Sequence, residues 1–303
     1  MTKAPALNYA IFVALIVECV ILAASTDAFL TPVNLANVIR QNAFTAILAA
    51  GMTFVILTAG IDLSVGSIVG LAGMVCASVM AGGGSVAGGV AAGTLVGVGT
   101  GMLNGAAVTW LRVPAFVVTL ATMLILRGAA YKLTDARTIS GLPEGFSVLS
   151  SGIASAGLMM AVFVAAWLVL SRTPFGRHVY AVGGNADAAW LAGVRVARVQ
   201  FAVYTLSGLA AGIAGVLVAS RLNAGYPRAG EFYELDAIAA VVVGGTSLFG
   251  GRGSIWGTLA GAFFIGVLNN GLNLFRVSPY DQLIVKGMVL LAAASLDRWR
   301  RAG

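Results

Sequence analysis

Charge is scarce in this chain. Only 10% of its 303 residues are Asp, Glu, Lys or Arg, against about 25% in a soluble domain. Such a deficit is tolerable where lipid replaces water as the outer solvent, so an ordinary soluble protein is excluded. Lysine is nearly absent, with Lys3, Lys132 and Lys286 alone. None sits in a phosphate-cradling loop of the Gly-x4-Gly-Lys-Ser/Thr kind, so ATP hydrolysis would need another chain. The two cysteines, Cys19 and Cys76, both fall in apolar runs, which argues against a disulfide framework. His178 is the sole histidine and has no Cys, Asp or second His at ligand spacing, so no metal site is expected. No Ser/His/Asp arrangement, CxxC or HExxH occurs, and an enzyme reading has little support. No cofactor is expected on this chain.

Apolar residues make up 59% of the sequence, the mean hydropathy is +0.95, and glycine occurs 40 times. Small residues let membrane helices approach closely. The class is an all-α polytopic membrane protein, read as one transmembrane domain over 1–303. The formal charge of +7 comes with 18 Lys and Arg, but no basic run is long enough for a nucleic-acid arm.

Apolar runs able, or nearly able, to cross ~30 Å of hydrocarbon fall near 8–25, 44–60, 65–81, 86–109, 114–130, 153–170, 199–220, 236–250, 255–275 and 280–296. They predict about ten spans, the eighth short and Gly-interrupted. The first run follows Lys3 and contains Glu18, and it reads as an uncleaved span rather than a signal peptide. The 171–198 connection carries Arg172, Arg177, Arg195 and Arg198, and the tail carries Arg298, Arg300 and Arg301. With Lys3, Arg112 and Arg252 these fall on one side, which predicts N-in, C-in and a cytoplasmic 171–198 loop. The 131–152 and 221–235 loops then face outward.

Two spans are broken by glycine. Ala59-Gly-Ile-Asp-Leu-Ser-Val-Gly-Ser67 puts Asp62 and Ser64 between Gly60 and Gly66, with Ser67 next, inside an apolar run. A carboxylate there costs roughly 2.5–3.5 kcal/mol on insertion scales, and persists where it faces other helices or a wet path. Asp62 reads as the cap of a helix restarting through Gly66, a role compatible with a pathway. An ion-coupled secondary transporter using Asp62 is the alternative, although no intramembrane chain of carboxylates exists for it to join. The second break, Gly244-Gly-Thr-Ser-Leu-Phe-Gly-Gly-Arg-Gly253, has five glycines in ten residues. At about 0.8–1 kcal/mol each relative to Ala, they cannot hold a regular helix. A glycine-rich boundary turn and a hinge at Gly244, Gly245 and Thr246 both fit. Gly66–Gly70 resembles Gly253–Gly257, and Gly93–Gly97 resembles Gly257–Gly261, two weak and mutually inconsistent hints of duplication. Paired interrupted helices in two halves are a pointer to a transport path.

Asn104, Asn269, Asn270 and Asn273 lie within apolar spans, and Thr119 and Thr122 share one side of another. They read as interhelical hydrogen bonds or as the lining of a conduit for a neutral hydroxylated solute, chiefly Asn104, Thr119 and Asn269. In the cytoplasmic loop, Asn185 can cap a short helix with Asp187 in its first turn, ended by Gly193. Ala188, Ala189, Trp190 and Leu191 then form a knob, marginal alone in water, that would dock on a membrane or a partner.

Five segments together resemble permease subunits of ABC sugar importers of the ribose type. They are Gly51–Ser67, Pro114–Leu120, Gly176–Asn185, Asp236–Ser247 and Gly250–Ser254, and the likeness runs from about Asn34 to Ala294. That family usually has Gly where this chain has Ala59. The resemblance implies a ten-helix permease of a bacterial cytoplasmic membrane that pairs with a second copy. It also implies an extracytoplasmic sugar-binding protein, and a double-cassette ATPase that binds ATP and Mg. It makes Asp187–Gly193 look like the coupling helix on that ATPase.

Overall fold

The computed structural model describes residues 5–302. Lys3 lies outside the described residues, as do the side chains of Arg298, Arg300 and Arg301. The chain forms α1 (Pro5–Ser25), α2 (Pro32–Leu57), α3 (Val65–Ala81), α4 (Val86–Thr109), α5 (Ala115–Lys132) and α6 (Gly152–Arg172). After these come α7 (Pro174–Gly184), α8 (Ala186–Leu191), α9 (Val196–Leu222), α10 (Tyr233–Val243), α11 (Ile255–Leu274) and α12 (Pro279–Ala302). Among the described residues there is no strand, only an isolated bridge between Ile139 and Gly225.

The helix starts are chemically marked. Thr31, Ser85, Ser151, Thr173 and Ser254 each accept a backbone N–H of the turn that follows, satisfying donors that lipid would leave orphaned. Among the described residues six helices are long and apolar enough to span a membrane: α2, α4, α5, α6, α9 and α11. Tyr9–Ser25 and α3 are apolar but shorter.

The eighth run needs correction. Its helix starts at Tyr233 and stops at Val243, so the expected 236–250 span is a half-helix followed by irregular backbone. Eleven residues cover only about 16 Å.

α2 and α9 form the centre. Every residue of α2 from Asn42 to Leu57 is buried. α9 packs on α2, α3 and α4, while α2 also meets α6, α10 and α11. α1 leans on α11, and α12 on α10. The most extensive crossing is α4 on α9. Gly93, Gly97, Gly101 and Gly105 recur every fourth residue of α4 and face Val216, Gly212, Gly208 and Phe201 of α9. The helix-propensity cost of those glycines is offset by backbones in direct contact.

Candidate functional site

The first break opens where α2 ends. Ala59 turns left-handed at φ 59°, and Gly60 N–H closes the turn on the Val55 carbonyl at 3.0 Å. A glycine at 59 would adopt this backbone freely. The next position needs glycine for space, because a Cβ on Gly60 would meet the Tyr204 hydroxyl at 2.6 Å.

Asp62 follows, fully buried. Its Oδ1 accepts Ser64 N–H at 3.0 Å and Ser64 Oγ at 2.6 Å, and its Oδ2 accepts Ser207 Oγ of α9 at 2.8 Å. The expected cap is therefore displaced. Ser64 occupies the cap position of α3, and Asp62 folds an Asx turn just ahead of it. Asn104 of α4 donates to Ser64 Oγ at 2.9 Å, and Thr122 of α5 donates to Asn104 Oδ1 at 2.7 Å. Thr119 donates to the Ile61 carbonyl at 3.3 Å. One hydrogen-bonded chain thus ties the break to α4, α5 and α9. It contains a single carboxylate, and neither ion pair among the described residues involves it. Asn104 and Thr122 also line the floor of a cleft of about 420 Å³ between α4 and α5, walled by Leu103 and Trp110. Ser67 Oγ is buried without a hydrogen-bond partner.

The second break meets the first. Gly245, Gly250 and Gly251 all have positive φ, at 88°, 80° and 73°. Gly251 N–H donates to the Leu57 carbonyl at 2.9 Å. Gly183 of α7 is wedged against the same carbonyl, and Gly250 lies against Gly183 and Ala59. Tyr180 of α7 donates to the Gly253 carbonyl at 3.1 Å. Thr246 packs on Gly253, with its buried hydroxyl unpartnered. Gly244 allows α10 to lie directly on Gly257 of α11. Three backbones therefore converge where side chains would not fit.

The knob leads out of that junction. Asn185 accepts Ala188 N–H at 2.9 Å, Asp187 lies in the first turn, and Gly193 closes the unit at φ 85°. Ala189 points inward, while Trp190 and Leu191 stay 67% and 78% exposed. The sequence reading missed α7, although Thr173-Pro174 is a clear helix start.

Residues 34–294 match the family described as the branched-chain amino acid transport system permease component. The chain is 46% identical over 298 residues to the ribose import permease protein RbsC of Bacillus subtilis (strain 168), covering 96% of this chain and 92% of that one. It is 44% identical over 305 residues to RbsC of Escherichia coli (strain K12), at 98% and 95% coverage. The D-allose transport system permease protein AlsC of the same organism is 38% identical over 294 residues, at 95% and 90%. The chain belongs to this permease family. No solved structure matches it.

Other polar groups of the permease separate into distinct sites. Asn269 lies on α11, outside the Asp62 chain, and its buried Oδ1 is unpartnered. Asn270 exchanges hydrogen bonds with Asn34 of α2 at 2.8 and 3.0 Å, and Asn273 accepts from Gln282 at 2.9 Å. Glu18 keeps Oε2 buried without a partner. Lys286 of α12 pairs with Asp236 of α10 at 3.0 Å. Asp297 of α12 accepts from Ser247 Oγ and Leu248 N–H, pinning the second break. Sequence reasoning missed Asp236, Asp297 and Ser207. Asp236 had a signal as a carboxylate in an apolar run, whereas Asp297, beside the basic tail, and Ser207 had none.

The 221–235 loop packs inward on α3. Gly225 lies against Ala77 and Met74, the Pro227 and Ala229 carbonyls against Gly70, and Gly230 against Gly66. The segment therefore runs along α3 from its far end almost to its start, about 16 Å of helix. Arg127 of α5 holds it by donating to the Pro227 and Ala229 carbonyls at 3.0 and 2.9 Å.

Proposed function

We propose that the permease forms half of the translocation pathway for a monosaccharide, a ribose-like pentose or a hexose, in an ABC importer of a bacterial inner membrane. The observation that carries this reading is near full-length similarity to permeases named for ribose import and for allose and xylose transport. A second copy would complete the path. A binding protein would deliver sugar on the face opposite α7 and α8, and a double-cassette ATPase would supply ATP hydrolysis on the near face. This orientation is N-in and C-in with about ten crossings. Asp187 to Gly193 would dock on the ATPase, with Trp190 and Leu191 as its exposed apolar contact.

The geometry offers a route for the stroke. A push on α8 moves Asn185 and, directly before it, Gly183 and Gly184. Gly183 bears on Leu57 and Gly251, so both breaks receive the displacement through backbone contact. Small shifts in such a packed junction are transmitted rather than absorbed. Opening toward alternate faces is then a population shift driven by the ATPase state. Uptake by purified permease in vesicles should require ATPase, binding protein and ATP together. Trp190→Glu should leave membrane insertion intact and separate ATP hydrolysis from uptake. Monosaccharide uptake on an ion gradient alone would refute the proposal.

A further inference from the structure

The backbone between Leu222 and Tyr233 is irregular at the depth of the middle of α3, with Gly230 at φ 78° and Phe232, a non-glycine, at φ 66°. Non-helical backbone survives at membrane depth only when buried in protein or lining a watery cavity. Here it does both. One side is fixed on α3 and on Arg127, while the other carries charge. Arg228 and Glu231 pair at 3.0 Å with side chains still 60% and 30% exposed. Tyr131 donates a further hydrogen bond to Glu231 at 2.9 Å. Ionised side chains at this depth do not face lipid. In the same segment Tyr226 and Phe232 are 41% and 49% exposed, Phe232 at the mouth of a cleft it shares with Asp236 and Lys286. Phe232 is held in a left-handed conformation that costs a non-glycine residue roughly 1–3 kcal/mol, and such strain concentrates at ligand clamps and switches.

We infer that segment 223–232 is the sugar-contacting wall of the outer half of the pathway, with Arg228 and Glu231 reading hydroxyls and Tyr226 and Phe232 meeting the ring's C–H face. The inference rests on the monosaccharide reading above. The chemistry suits that solute. A carboxylate and a guanidinium side by side offer acceptors and donors for adjacent hydroxyls, and aromatic faces suit the less polar side of a sugar ring. The depth disfavours docking of a folded protein. Because the segment leads straight into the half-helix α10 and the second break, a sugar there would also sit on the element that moves.

The test uses the assembled importer in liposomes, built with a permease in which Cys19→Ser and Cys76→Ala remove the native thiols. Arg228→Cys and Tyr226→Cys should react with a membrane-impermeant methanethiosulfonate added outside, and uptake of labelled ribose should stop. Without that substitution, Glu231→Gln and Arg228→Gln should cut ribose uptake on the order of tenfold, the weight of a charge-assisted hydrogen bond. Glu231→Asp should recover part of it, and ATP hydrolysis stimulated by binding protein should persist in all three. Absence of labelling at both cysteines, or unchanged uptake in both Gln variants, overturns the inference. Loss of binding-protein stimulation together with uptake also overturns it, since the segment would then dock the binding protein. If the unmodified importer moves no monosaccharide with ATP, the monosaccharide reading fails instead, and the labelling still decides whether the wall faces water.

Discussion

Gly183→Ala adds one methyl group at the point where α7 meets both breaks. That methyl would be built into the Leu57 carbonyl oxygen, 2.5 Å from Gly251 N and 2.8 Å from Leu57 C. All three colliding atoms are backbone, so no side chain can rotate away. The Gly251 N–H to Leu57 carbonyl bond must open, leaving a donor and an acceptor short of partners at about 1–3 kcal/mol. Overpacking adds about 1–3 kcal/mol, and together they come to about 2–6 kcal/mol. Gly184→Ala is the matched control, because its Cβ would meet nothing and alanine is favoured in a helix by about 0.8–1 kcal/mol. Thermal unfolding in micelles should separate the two variants, Gly183→Ala falling and Gly184→Ala level or higher. In the assembled importer, sugar moved per ATP hydrolysed should fall only for Gly183→Ala. Equal stability and equal coupling in the two variants would refute the idea that this junction carries force.

Three further outcomes follow from the same geometry. Asp62→Asn keeps an acceptor for Ser64 and should retain ATP-driven uptake at a cost of about 1 kcal/mol, whereas Asp62→Ala strands Ser64 and Ser207 and should cost about 3 kcal/mol or more in a chemical unfolding titration; uptake driven by a pH gradient and abolished by Asp62→Asn would revive ion coupling. Lys286→Met leaves Asp236 unpaired and should destabilise by about 3–5 kcal/mol in the same titration, and adding Asp236→Leu should recover most of it. Ala59→Gly relieves the left-handed backbone and should raise stability by about 0.5–1 kcal/mol, the steric relief exceeding the entropy glycine brings; a loss of stability would mean the Ala59 methyl is useful packing.

Features written locally were legible in the sequence. The break at 59–67, the cap at Asn185 and the stop at Gly193 depend on residues within a turn of one another. The Asx turn at Asp62 was half legible, since its near partner Ser64 is two residues away but its far partner Ser207 is 145 away. Asn104 and Thr122 were marked as polar groups in lipid-facing sequence, and the structure pairs them. What could not be read is which backbones touch. Gly183 and Gly251 look like turn glycines, and only folding sets them on Leu57. The inward course of 223–232 was hidden for a related reason. Its Pro, Gly and charges describe a loop, and hydropathy carries no sign of a loop buried by its neighbours.

The α4–α9 crossing constrains how this sequence can change over time. At most contacts an enlarged residue can be accommodated by shrinking its neighbour, so two substitutions restore what one spoiled. At Gly97 and Gly208 the neighbour is main chain, which has nothing left to shrink. No second-site change in the facing residue can rescue a methyl added there. These positions should be silent in any search for correlated substitutions while being among the least tolerant in the protein, a seam that mutagenesis would find and covariation would miss.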